Sequence, residues 1–80
     1  MTEQVDRAWQ DRARGLLRAE LARRGIGFRE LAERLREIGI VETEKNLSNK
    51  ISRGTFSAAF LLQCMSVLGV RNIRLGDDDS

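Results

Sequence analysis

Fourteen cations, one thiol and no imidazole are the chemical resources of this 80-residue chain. Twelve of the fourteen cations are arginine, whose planar fork of donors suits phosphates and base edges better than an ammonium does. Histidine, the usual general base near neutral pH, is absent, and so is tyrosine. A lone cysteine, Cys64, cannot close an internal disulfide, which fits a reducing compartment. Zinc fingers and disulfide scaffolds are excluded on the same count. Cys64 lies in an apolar run with no histidine to activate it, so it reads as a small buried hydrophobe rather than a nucleophile. Glutamates interleaved with arginines over residues 29–37 read as surface ion pairs, Glu30 with Arg34 and Glu33 with Arg36, not as a catalytic dyad. No metal or phosphate-loop signature is present, so no cofactor is expected. Binding, not catalysis, is the expectation.

The net charge of +2 conceals an uneven distribution. Without Asp77, Asp78 and Asp79, fourteen cations face nine carboxylates over residues 1–76. From Lys45 to Gly76 there are five cations (Lys45, Lys50, Arg53, Arg71, Arg74) and no carboxylate. A polyanion-facing surface is the better reading of that half; a solvated surface of mixed sign is the better reading of residues 1–44. Length allows one domain, expected over 1–76, with 77–80 as an acidic disordered tail. No run approaches the roughly 18 apolar residues of a membrane span. The N-terminus is polar, without a signal pattern, so a cytoplasmic protein is expected. So short a chain has little core, and oligomerisation is expected to supplement it.

The elements that must position these charges are helices. Apolar residues keep helical spacing between glycines. A first segment over about 4–24 places Val5, Trp9, Ala13, Leu16, Leu17 and Leu21 along one stripe, with Arg7, Arg14 and Arg18 opposite. Arg23-Arg24-Gly25 is a normal helix ending. A second helix over about 28–38, with Gly27 as a modest N-cap, aligns Phe28, Leu31, Ala32, Leu35 and Ile38 along one face. Thr43 caps a third helix over 44–53, and Ser57 caps a fourth over 58–68, onto which Phe56 can staple at Leu61. The fourth is apolar almost all round, so it must be buried on several sides. Residues 70–75 alternate apolar and polar, the signal of a short strand, which must meet a partner segment or a second chain.

The third helix is the unusual one. Only Leu47 and Ile51 are apolar, and at about 100° per residue the opposite side carries Lys45, Asn49, Ser52 and Arg53, flanked by Asn46 and Lys50. Asparagine pairs with adenine, arginine and lysine pair with guanine, and serine reaches phosphates. Residue types alone leave two readings open: a helix made for the major groove, or a solvated helix that completes the bundle.

Three stretches resemble the lambda-repressor/Cro-type helix-turn-helix. They are Gly25-Ile26-Gly27-Phe28-Arg29-Glu30-Leu31-Ala32-Glu33-Arg34-Leu35, then Leu47-Ser48-Asn49-Lys50-Ile51-Ser52-Arg53-Gly54, then Leu62 through Leu68-Gly69-Val70. The run Glu44 to Phe60 is similar to a small bacterial domain family of the same pattern, to which no function is attached. Two departures are visible: the segment Arg36–Thr43 is longer than the family's tight turn, and Phe28 stands where the family has a phosphate-contacting Gln. The resemblance implies an all-α, compact four-helix domain of this type, with Lys45, Asn46, Asn49 and Lys50 base-facing. It implies that Arg53 binds phosphate, with anchoring by Arg29 and by Thr55 or Ser57.

The expected function is therefore a sequence-specific, dimeric transcriptional regulator that binds double-stranded DNA without cofactor. Val70, Ile73 and Leu75 of the strand, or Trp9 with Val5 and Ala13 of the first helix, are the candidate dimer contacts, to a twin or to a related regulator. In a strand-paired dimer Arg71 and Arg74 would add phosphate contacts. Trp9 otherwise reads as a core or capping residue. The alternative is a protein-interaction module, an antirepressor or a subunit of a larger complex, that keeps the helix-turn-helix shape. The longer turn, the missing Gln and the acidic tail favour that alternative.

Overall fold

The computed structural model describes residues 2–75. They form four helices: α1 (Thr2–Arg24), α2 (Phe28–Glu37), α3 (Glu44–Arg53) and α4 (Ala58–Leu68). α1 and α2 each pack on both α3 and α4. The core between them is built from Leu17 and Leu21 of α1, Leu31 and Leu35 of α2, Leu47 and Ile51 of α3, and Phe60, Cys64, Met65 and Leu68 of α4.

Local chemistry sets where each helix starts. Thr43 accepts a hydrogen bond from the Asn46 N–H at 3.0 Å, and Ser57 accepts one from the Phe60 N–H at 3.0 Å. Gly27 caps α2 without any side-chain bond. Phe56 packs on Phe60, ring centroids 5.5 Å apart.

The ends of α1, α2 and α4 share one device. The N–H after the glycine returns to a carbonyl one turn back: Ile26 to Leu21, Ile40 to Leu35, Val70 to Met65, each at 2.9 Å. Each such turn folds its apolar residue onto the core. Two of the arginines also serve as helix caps. Arg24 donates to the Leu68 carbonyl at 2.8 Å and Arg34 to the Val67 carbonyl at 2.9 Å. α4 has no cation in its own last turn, so α1 and α2 supply the positive charge its C-terminus attracts.

α3 ends differently. Gly54 is buried at φ +70°, and a Cβ there would stand 2.6 Å from the Gln10 carbonyl oxygen. Both the left-handed backbone and the close approach to α1 require glycine at this position.

Two expectations are corrected. No strand is present among the described residues; 70–75 is irregular. Alternation gave it the pattern of a strand but no second strand to pair with, so the ladder has nothing to form on. Val70 packs on the chain's own core instead, and Arg12 holds the Leu75 carbonyl. α4 is also covered less fully than its composition suggests, because Leu62 is 62 % exposed. The acidic residues 77–80 lie outside the described residues.

Candidate nucleic-acid interface

Leu47 and Ile51, one turn apart and fully buried, fix the rotation of α3 on the bundle. The opposite side is then set by geometry. Lys45, Asn46, Asn49 and Arg53 are all exposed. Among the described residues, none of their side chains has a hydrogen-bond or ion-pair partner. Two amides and two cations thus project from one helix with their donors free.

The two remaining candidates of this helix are engaged within the fold. The Lys50 ammonium lies 2.5 Å from a Glu42 carboxylate oxygen and 4.9 Å from the Phe60 ring centroid. Glu42 is 12 % exposed, so the pair is half-sheltered between the α2–α3 connection and α4. Lys50 is exposed, yet its ammonium is held by these two groups. Ser52 turns toward α1: its hydroxyl accepts from Arg18 at 3.1 Å and its carbonyl from Arg14 at 2.7 Å.

Arg14 and Arg18 were not among the candidates read from the sequence, and the fold adds them. One turn apart on α1, they reach the C-terminal end of α3, where unpaired carbonyls attract cations. Their spacing opposite the apolar stripe of α1 was the available signal. Arg14 is also paired with Asp11 at 2.5 Å, whereas Arg18 keeps its remaining donors. The exposed rim of the α3 face therefore carries Lys45, Arg53 and Arg18.

Thr55 lies at the corner between α3 and α4. With Lys50, Arg53, Phe56, Ser57 and Phe60 it lines a hollow of about 180 Å³. Arg29 is exposed in the first turn of α2 and lines a different, open groove, shared with Glu30, Glu33, Ser66 and Val67. Phe28 is half-buried against the core. The Glu30–Arg34 pair forms at 2.9 Å.

The candidate dimer residues divide. Val70 is half-buried in its own chain, whereas Leu75 is 70 % and Trp9 59 % exposed. Trp9 is therefore not a core residue. Ile73 stands between these extremes.

Burial, followed by the Glu42 carboxylate, pushes the Cys64 thiol up to about 12; nearby Lys50 opposes this. The thiol stays protonated across the physiological range. Among the described residues no group of three potential ligands is placed to hold a metal ion. Among the described residues no single helix is long and apolar enough to cross a membrane.

Residues 9–73 match a family described as a domain of unknown function, DUF6471. The chain belongs to that family. The match spans all but the first two turns of α1, the whole of α2, α3 and α4, and the connection into 70–73. No curated protein and no solved structure matches the chain.

Proposed function

We propose that this domain is a sequence-specific DNA-binding regulator of helix-turn-helix type, with α3 as the helix that enters the major groove. The observation that carries the reading is the outward side of α3: Lys45, Asn46, Asn49 and Arg53 exposed, without bulky apolar groups and without partners in the fold. Amides and cations on one helix face are the groups that read base edges. Arg18 and Arg53 at its rim, and the corner at Thr55 and Ser57 beside the start of α4, suit the phosphates on either side. Two copies would set their α3 helices about one helical turn of DNA apart on a pseudo-palindrome. No cofactor takes part.

The test is site selection followed by substitution. Duplexes enriched on the wild-type protein should bind Asn49→Ala or Lys45→Ala about 1–3 kcal/mol more weakly, with relaxed preference at one or two positions. An unchanged preference in both variants contradicts base reading by α3.

A second reading has its own observation. The α2–α3 connection leaves Ile38 51 % and Val41 74 % exposed, two apolar groups that DNA binding does not need. A protein-interaction module would use them. Under that reading Val41→Asp abolishes partner binding, and Arg53→Ala leaves any DNA affinity untouched.

A further inference from the structure

One cation of α3 is claimed by a residue outside the helix. Glu42, in the α2–α3 connection, places a carboxylate oxygen 2.5 Å from the Lys50 ammonium. The pair is lopsided: the Glu42 side chain is 12 % exposed and that of Lys50 46 %. Among the described residues the Glu42 carboxylate has no other ion-pair or hydrogen-bond partner. A sheltered carboxylate left without its cation is costly, so this pair resists separation more than an exposed one of the same length would. The Phe60 ring, 4.9 Å from the ammonium, backs the same position.

Lys50 is otherwise well placed for a polyanion. It follows Asn49, about 100° further around α3, and it lines the hollow at the α3–α4 corner with Arg53, Thr55 and Ser57. A free ammonium there would add a contact to a backbone phosphate. From Lys45 to Leu75 the sequence supplies no carboxylate; the one that neutralises Lys50 comes from the connection before the helix.

We propose that Glu42 is a positioning residue of the DNA-binding face: it holds Lys50 on the fold and withholds its charge from the phosphates of duplex DNA. The proposal rests on the reading of α3 as the helix that contacts DNA. A phosphate that drew Lys50 away would leave the Glu42 carboxylate sheltered and unpaired. Lys45 and Arg53 have no partner to give up. Glu42 thereby sets how many phosphates the domain neutralises. Phosphate contacts carry no sequence information, so that number changes affinity for every duplex alike and leaves base preference to Asn46 and Asn49.

The test is a double-variant cycle in Glu42 and Lys50, read by fluorescence anisotropy across a salt series on random-sequence duplex DNA and on a selected duplex. Glu42→Gln keeps the size of the side chain and removes its charge, so its helical circular dichroism should match the wild type. Its log affinity should fall more steeply with log salt, by about 0.9. Both duplexes should bind more tightly, with the preference between them unchanged. Lys50→Ala should leave the wild-type slope as it is, and should abolish the gain when added to Glu42→Gln. A gain that survives Lys50→Ala overturns the proposal, because loss of a negative charge alone would then explain it. A slope lowered by Lys50→Ala in the wild-type background overturns it independently of Glu42→Gln. A wild-type slope in Glu42→Gln overturns it while leaving the DNA reading in place, whereas no binding by either protein at low salt overturns both.

Discussion

α2 and α3 are built alike and finished differently. Each has ten residues and two fully buried anchors one turn apart, Leu31 and Leu35 against Leu47 and Ile51. Each lies against α1 or α4 by that narrow stripe. On the outward side the likeness ends. α2 carries three glutamates among three arginines, and its Arg34 is held by Glu30 and by the Val67 carbonyl. α3 carries one glutamate, and its Lys45, Asn46, Asn49 and Arg53 are held by nothing among the described residues. Anchoring therefore does not distinguish a structural helix from a functional one. The difference lies in whether the polar side chains are already satisfied.

The largest effect should show the anchors to be equivalent. Leu31→Ala and Leu47→Ala should each cost about 2–5 kcal/mol in urea denaturation, because both sites are fully buried and leave cavities. A much smaller cost at Leu47 would mean that α3 is loosely held and cannot present a fixed face. Gly54→Ala should cost about 1–3 kcal/mol from its backbone conformation, with the contact to the Gln10 carbonyl adding to it. Thermal melts read that effect, and a neutral result would mean that α1 and α3 do not approach as closely as described.

Next comes the pH dependence of the shared core. Unfolded, Cys64 ionises near 9.0; folded, it keeps its proton to about 12. Between those values the native state binds more protons than the unfolded state, so stability falls as pH rises. The loss between pH 9 and 11 should exceed that of Cys64→Ala, compared by urea titration at matched pH. Equal slopes would place the thiol in contact with water.

The smallest effects separate the two outer faces. Arg34→Ala should destabilise by about 1 kcal/mol or less, since its ion pair is largely exposed, and should not change DNA binding. Arg53→Ala should do the reverse: no change in melting, and a lower DNA affinity. Lys50→Ala belongs with Arg34 in this comparison, because Glu42 and Phe60 hold it. If Lys50→Ala altered base preference while leaving the melt unchanged, that grouping would fail.

Much of the fold was legible from residue types. α3 and α4 begin and end where Thr43, Ser57, Gly54 and Gly69 place them, because caps and stops are local chemistry. The all-helical class follows from apolar spacing between glycines. What was not legible is what depends on distant partners. Alternation at 70–75 cannot reveal that no second strand is available. Periodicity put Trp9 on the stripe of α1 without showing that Trp9 stays exposed. Six polar residues on α3 looked equivalent, yet Glu42 holds Lys50 and α1 holds Ser52, and neither contact lies within the helix itself. Arg14 and Arg18 were visible as cations but not as neighbours of α3.

The central claim is that the free side of α3 meets a nucleic-acid backbone. Fluorescence anisotropy on random-sequence duplex DNA across a salt series tests it most directly. Log affinity should fall linearly with log salt, by about 0.9 for each phosphate neutralised, and Arg53→Ala or Lys45→Ala should each reduce that slope by about one while Arg36→Ala leaves it unchanged. No binding at low salt, or a slope indifferent to Lys45 and Arg53, would contradict the account.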